Sequence, residues 1–233
     1  MFNLERQEQI MAVLQKNPSV RVQQLAEMLY VSQPTVRRDL AALEAQGKVQ
    51  RTHGGVILRK TADAEIPLLY REDQQSASKR AIAQKAASYI RDGDVIFMDA
   101  SSTVSYLIPY LEQFHDLIVV TNSPKTSMKL GERGIKNYCS GGLLLGHSVA
   151  YVGSDAERFF TRFNADVLFF SSRGYTENGF ITDSSEPESA IRRVMIEHAA
   201  RRVYLCDSSK KGNAYAYNIC ATAVADAIID ERG

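Results

Sequence analysis

Residues 32–55, SQPTVRRDLAALEAQGKVQRTHGG, decide how the N-terminal part of this chain folds and what it can touch. Ser32 is placed to cap a helix, because its hydroxyl accepts an N–H that the first turn otherwise leaves orphaned. Pro34 falls in that first turn, where a missing donor matters least. Val36, Leu40 and Leu43 recur at helical spacing and give one apolar face, while Gln33, Thr35, Arg37 and Arg38 point outward. Gly47 is expected to end the helix. Residues 48–52 then read as a strand turning at Gly54-Gly55, a two-stranded wing. Amide, hydroxyl and guanidinium groups at the start of a helix match the base edges of a major groove and its flanking phosphates. The competing reading is a solvated amphipathic helix with ordinary surface charges.

The residues upstream favour the nucleic-acid reading. Leu4, Ile10, Val13 and Leu14 mark a first helix over residues 4–15, stopped by Asn17-Pro18. Val22, Leu25, Ala26 and Leu29 mark a second, joined to the third only by Tyr30-Val31-Ser32, the tight connection of a helix-turn-helix. Residues 1–58 therefore make a winged helix-turn-helix. In it Ser32, Gln33, Thr35, Arg37 and Arg38 meet double-stranded DNA, and Arg51, Thr52 and His53 touch it from the wing. Charge agrees. Residues 1–60 hold nine Lys/Arg against five Asp/Glu, a balance of +4, and the remainder carries −3 in a chain of net charge +1. One such domain covers a half-site, so a homodimer or homotetramer is expected.

Composition narrows the rest. A chain of 233 residues with 24% charged residues fits one small and one medium globular domain, neither disordered nor fibrous. Cys139, Cys206 and Cys220 are distant from one another and lack metal-ligand spacing, which points to reduced, buried thiols in a cytoplasmic protein rather than a disulfide framework or a metal site. No apolar run reaches membrane-spanning length, and the N-terminus lacks signal-peptide organisation. Neither a cofactor nor a metal is expected.

Residues 59–75 show no clean period and read as a linker, with residues 67–71 docked on the second domain. Residues 76–233 form that domain. Helical spacing returns over residues 76–90 through Ile82, Ala83, Ala86 and Ile90. Short apolar runs at 95–98, 117–120, 135–139, 167–170 and 203–206 then alternate with helical stretches at 103–111, 124–130 and 186–199. Strands alternating with helices imply a mostly parallel α/β sheet.

In such a sheet the ligand crevice lies beyond the carboxyl ends of the strands. Those ends are polar here: Asp99-Ala100-Ser101-Ser102-Thr103, Thr121-Asn122-Ser123, Gly141-Gly142, Ser171-Ser172-Arg173-Gly174 and Asp207-Ser208-Ser209-Lys210-Lys211. Hydroxyls opening a helix offer donors and the positive dipole end to an anion. Together with glycines, an Arg and a Lys, they suit a phosphate on a polyhydroxylated body. Each segment alone is an ordinary cap or turn. His147 and His198 lack a partner at catalytic spacing and read as structural.

The motifs resemble those of DeoR-type transcriptional regulators over nearly the whole chain. The N-terminal signature is matched by Leu25-Ala26, Val31-Ser32, Thr35-Val36-Arg37-Arg38-Asp39-Leu40, Leu43, Gly47 and Arg51-Thr52-His53-Gly54-Gly55. Pro67, Arg71, Lys79, Asp99, Thr103, Thr121-Asn122, Gly141-Gly142, Gly153, Gly174, Gly179, Asp207 and Lys210 match the sensor domain, which is related in fold to phosphosugar isomerases. The resemblance implies a sugar-catabolic regulator, usually a repressor, released from its operator by a phosphorylated sugar or polyol. Together with the polar strand ends, and with Glu188 on the following helix, the expected effector residues are Asp99, Ser101, Ser102, Thr103, Thr121, Asn122, Gly141, Gly142, Arg173, Gly174, Glu188 and Lys210. Three departures stand out: Ala100-Ser101 replaces the family's usual x-Gly after Asp99, Lys125 stands where an apolar residue is more common, and the sequence stops at Ile229-Asp230-Glu231-Arg232-Gly233, where a further helix and strand are expected from the resemblance. An alternative is a catalytically active sugar-phosphate isomerase or deaminase with an appended DNA-binding head, for which Asp99, Glu188 and Lys210 are the candidate acid–base groups.

Overall fold

A computed structural model describes residues 3–17, 19–46, 48–52, 54–58 and 68–232. The chain divides into two compact units, Met1–Ala64 and Glu65–Gly233. Pro18, Gly47, His53 and residues 59–67, which carry the expected helix stops, one wing residue and most of the expected linker, lie outside the described residues.

The first unit contains helices α1 (Asn3–Lys16), α2 (Val22–Met28) and α3 (Gln33–Ala45) with strands β1 (Ser19–Arg21), β2 (Val49–Thr52) and β3 (Gly55–Leu58). Ser32 caps α3 as its position demands, accepting from the Thr35 N–H, and Pro34 lies in the first turn. Ile10, Leu14, Leu25, Val36, Leu40 and Leu43 close one core. Two expectations need correction. Leu4 is 75% exposed, because the first turn of α1 extends past the core. The wing is one edge of a three-stranded sheet in the order β1-β3-β2: Ser19–Arg21 pairs antiparallel with β3, and Gly54 turns the hairpin at φ +85°. Three residues between two helices are too few to show strand periodicity in sequence.

The second unit begins with α4 (Leu68–Asp73) and α5 (Ser76–Ala86). It continues with β4 (Val95–Met98), α6 (Ser102–Ser105), α7 (Ile108–Leu111), β5 (Ile118–Thr121), α8 (Pro124–Gly131), β6 (Asn137–Cys139), β7 (Leu143–Leu145), β8 (Ala150–Val152), α9 (Ser154–Phe160), β9 (Ala165–Phe170), β10 (Gly174–Tyr175), β11 (Phe180–Asp183), α10 (Glu186–Glu197), β12 (Ala199–Leu205), β13 (Tyr217–Ala221) and β14 (Ala227–Ile229). A six-stranded parallel sheet runs β14-β12-β9-β4-β5-β6. Both faces are covered. Ile96, Met98, Val119, Val167 and Phe169 enter one core, and their chain neighbours Phe97, Val120, Leu168 and Phe170 enter the other. Burial on two sides is why these strands read as unbroken apolar runs.

The helix expected over 103–111 is two short helices. Pro109 has no N–H to donate to the Ser105 carbonyl, and the tighter bonds Tyr106 N–H to Thr103 and Leu107 N–H to Val104 end the first. Helix α10 stops at Glu197, and Ala199 already pairs with Ala165 in β12. The hairpin β7–β8 and the antiparallel sheet β10-β11-β13 are additions to the expected parallel layer. All three cysteines are free. Cys206 is buried, and burial pushes its thiol up to about 12, whereas Cys139 and Cys220 are only half-buried.

Ile10 is fully buried and Leu4 is not. Ile10→Ala is expected to destabilise the first unit by about 3 kcal/mol and Leu4→Ala by less than about 0.5 kcal/mol, measured by denaturant unfolding. Equal losses would mean that α1 packs on a different face.

Candidate functional site

The strand following β4 in sequence lies on one side of it and β9 lies on the other, so the chain reverses direction across the sheet at the β4/β9 pair. At such a switch point the loops leaving the two strands diverge and open a crevice. Asp99 follows β4 at this switch point and is 1% exposed. Its Oδ1 accepts from the Ser101 N–H at 3.0 Å, and its Oδ2 from the Ser171 N–H at 3.2 Å and from Arg192 Nε at 2.8 Å. The carboxylate therefore ties the end of β4 to the end of β9.

Arg192, on α10, was not singled out by sequence reasoning, and neither was Asp183 at the end of β11. Both are buried at the centre of the site. The guanidinium donates to Asp99, to Asp183 Oδ2 at 3.0 Å and to Glu188 Oε2 at 3.3 Å, one carboxylate from each of three elements. Burial works against its charge, but Asp183, Asp99 and Glu188 outweigh burial and raise its pKa. The available signal was Glu188 and Arg192 at i, i+4 on an otherwise apolar helix face, which reads equally well as a solvated pair.

Beside this cluster stand two ammonium groups. Lys210 follows β12 and donates to Ser171 Oγ at 2.7 Å and weakly to Thr103 Oγ1 at 3.5 Å, with Asp207 Oδ2 at 3.8 Å. Lys79, on α5, donates to the Arg71 carbonyl and to Ser102 Oγ at 3.1 Å. Burial, and then the charge of Lys210, lower the Lys79 ammonium to about 8. Burial likewise lowers Lys210, and it lowers Arg71, which the neighbouring Arg173 and Arg192 also disfavour. Cations are thus crowded together in a partly dehydrated place, which suits a multiply charged anion. Helix α6, opening at Ser102, has only four residues. The ammonium groups and the hydroxyls, rather than a helix dipole, make the anion-favouring environment.

The other expected effector residues fall around this centre in different roles. Ser101 Oγ caps α6 through the Val104 N–H, and Thr121 Oγ1 accepts from the Ser123 N–H. Asn122 Nδ2 donates to the Tyr151 carbonyl, while its buried Oδ1 has no partner among the described residues. Gly141 and Gly142 have φ of +66° and +111°, and a Cβ on Gly142 would lie 2.8 Å from the Val152 carbonyl oxygen. Gly174 is tighter still, since a Cβ there would meet the Asn213 carbonyl oxygen at 2.4 Å. Gly142 and Gly174 thus let loops approach one another, while a Cβ on Gly141 would meet nothing within 4 Å. Arg173 is half-buried. Glu188 Oε1 lies 3.7 Å from His147 Nε2, and His198 ends α10 with its carbonyl accepting from the Ala165 N–H. Lys125 is held by a carboxylate of the chain itself: it pairs with Glu72, which Lys129 also approaches at 3.5 Å.

On the first unit, Ser32, Gln33, Arg37 and Arg38 are exposed along the first turns of α3, and Thr35 is half-buried with its hydroxyl 2.9 Å from that of Ser32. Among the described residues no carboxylate pairs with Arg37 or Arg38. Arg51 is held by Glu44, Nε to Oε2 at 2.6 Å, which fixes the wing strand against α3. Thr52 is described through its backbone, as the partner of Gly55. Asp39 turns inward instead, its buried carboxylate gripped by the fork of Arg6, Nη2 to Oδ1 at 3.1 Å.

A DeoR-like helix-turn-helix domain matches residues 6–62, and a DeoR C-terminal sensor domain matches residues 74–232. The chain is 33% identical over 234 residues to the uncharacterized HTH-type transcriptional regulator YulB of Bacillus subtilis, covering all of this chain and 90% of that one. It is 30% identical over 232 residues to a putative aga operon transcriptional repressor of Escherichia coli O157:H7, covering 98% and 86%. With the L-fucose operon activator of Escherichia coli K12 it shares 34% over 208 residues, covering 88% and 85%. Among solved structures, eIF2B delta of Chaetomium thermophilum is similar in fold with a TM-score of 0.53, at 16% identity and covering 71% of this chain and 59% of that one. No described helix is long and apolar enough to cross a membrane.

Replacing Arg192 by Met leaves three buried carboxylates facing one another. The loss is expected to be about 3–5 kcal/mol at pH 7, as for a buried ion pair broken on one side. Repulsion makes the folded variant hold protons that its unfolded chain has released, so its stability rises as pH falls from 7 towards 5. Denaturant melts across that range check both the size and the sign.

Proposed function

The chain belongs to the DeoR family of DNA-binding transcriptional regulators, and from that membership we propose that it represses a sugar-catabolism operon and leaves its operator when a phosphorylated sugar binds the C-terminal domain. The observation that carries the sensor half is the pair Lys79 and Lys210. Two ammonium groups, Lys79 buried and Lys210 half-buried, lie against the hydroxyls of Ser102, Thr103 and Ser171, at the sheet's switch point. A phosphate dianion there offsets the repulsion that lowers Lys79. The loops carrying Asn122, Gly141-Gly142 and Arg173, with Glu188 on α10, supply polar groups for the hydroxylated remainder of the ligand.

For the operator half, Ser32, Gln33, Thr35, Arg37 and Arg38 present donors and acceptors along the start of α3, with Arg51 on the wing. The sensor acts by binding rather than by turnover. In support, both oxygens of Asp99 are taken by fixed donors and Glu188 shares Arg192, so neither stands open as a base. Release follows if the ligand binds the DNA-free arrangement of a homodimer or homotetramer more tightly than the DNA-bound one.

Two outcomes test this. In a thermal-shift screen, one phosphorylated sugar or polyol is expected to raise the melting midpoint, while its unphosphorylated parent leaves it unchanged. At a hundredfold above Kd the gain is about 2.7 kcal/mol. The same compound is expected to dissociate protein from a selected operator duplex, and a compound that tightens the complex would overturn release. Its affinity is expected to peak between about pH 6, where a phosphate monoester becomes a dianion, and the Lys79 value of about 8. Above that the ammonium loses its proton and affinity declines, whereas Lys79→Gln flattens this upper limb. On the DNA side, Arg38→Ala is expected to weaken operator binding by about 1–3 kcal/mol; unchanged affinity in an anisotropy titration would remove Arg38 from the interface.

A further inference from the structure

The turn between α2 and α3 closes in a Schellman motif. The Val31 N–H donates to the Ala26 carbonyl at 3.0 Å, and the Tyr30 N–H to the Glu27 carbonyl at 3.3 Å. This arrangement drives the residue after the C-cap into the left-handed region, and Tyr30 sits there at φ +53°. Glycine occupies that position without steric penalty, and a bulky side chain does not. Tyr30 recovers nothing from packing, because it is 95% exposed, whereas Leu29 beside it is buried. The free domain therefore carries a strained backbone and an aromatic ring in water at one residue.

Position gives those two costs a reason. Tyr30 borders a shallow groove together with Gln23, Ala26, Val31, Ser32 and Gln33. Ser32 and Gln33 are exposed and open α3, so the ring borders the start of the helix that carries Arg37 and Arg38. Glu27 also borders the groove, and Gln23 Nε2 donates to its carboxylate at 3.0 Å.

We propose that Tyr30 is a contact to the sugar–phosphate backbone of duplex DNA, its ring against a deoxyribose and its hydroxyl donating to the phosphate beside the bases that α3 reads. The assignment rests on the DNA reading of α3. It has a distinguishing signature. A neutral hydroxyl displaces no counterion, so Tyr30 strengthens binding to every sequence without adding to the salt dependence, unlike the arginines.

The test uses full-length protein in anisotropy titrations against two duplexes of about 30 base pairs, long enough for two half-sites: one enriched from a random library by the wild-type protein, the other unrelated. Tyr30→Phe is expected to weaken both about threefold to tenfold, the loss of one hydrogen bond. Tyr30→Gly is expected to weaken both by more than about tenfold, with the slope of log affinity against log salt unchanged and a melting midpoint no lower than wild type. Equal affinity for wild type and Tyr30→Gly overturns the contact. So does a loss accompanied by a lower midpoint or a smaller assembly, which marks Tyr30 as a folding or subunit residue. If Arg38→Ala weakens binding and Tyr30→Gly does not, only this contact falls; if the wild type binds neither duplex, the DNA reading falls with it.

Discussion

The second domain depends on one buried charge. Arg192 reaches carboxylates on three separate segments: Asp99 after β4, Asp183 at the end of β11 and Glu188 one turn back on α10. Asp99 in turn accepts from the backbone of Ser101 and Ser171, which fixes the loops on either side of the switch point. Such a cluster contributes little net stability against a well-packed apolar substitute, yet any one member left unpaired is expensive. Its value lies in geometry. The guanidinium and the Asp99 carboxylate hold the polar ends of the central strands in place, and the ammonium groups stand beside that frame.

The neighbouring cations have the opposite balance. Arg192 has more carboxylate around it than it needs, while Lys79 and Lys210 lean on hydroxyls, a carbonyl and one distant carboxylate. Burial lowers both ammonium groups, and the charge of Lys210 lowers Lys79 further. A site in this condition is cheap to discharge and gains strongly from an incoming anion. The residues that hold the loops together are therefore adjacent to, and separate from, the ammonium pair proposed to take the ligand's phosphate.

The first domain divides its charges in a similar way. Arg6 and Asp39 are turned inward, and Arg51 is tied to Glu44, so these ionic contacts stabilise the domain. Arg37 and Arg38 stay exposed on α3. Strain follows the same division: the helix caps at Ser32 and the hairpin turn at Gly54 use residues suited to their backbone, and Tyr30 does not. Local choices that disagree with local structure concentrate where a protein has another demand to meet.

Sequence alone determined what depends on neighbours along the chain. Ser32 and Pro34 at a helix start, apolar residues at spacing three and four in α3, and unbroken apolar runs flanked by polar loops each reflect short-range geometry. They sufficed for a helix-turn-helix followed by a parallel α/β domain. Tertiary structure decided what depends on residues brought together from far apart. Strand β1 is only three residues long and exists because β3 pairs with it. The partners of Arg192 lie up to 93 positions away, so a charged residue on a helix gave no hint that it was buried. The sequence around Lys125 names no partner for it, and α4 places Glu72 against it. Periodicity records which face of an element is apolar; which charges meet beneath that face is fixed only when the sheet order brings their elements together.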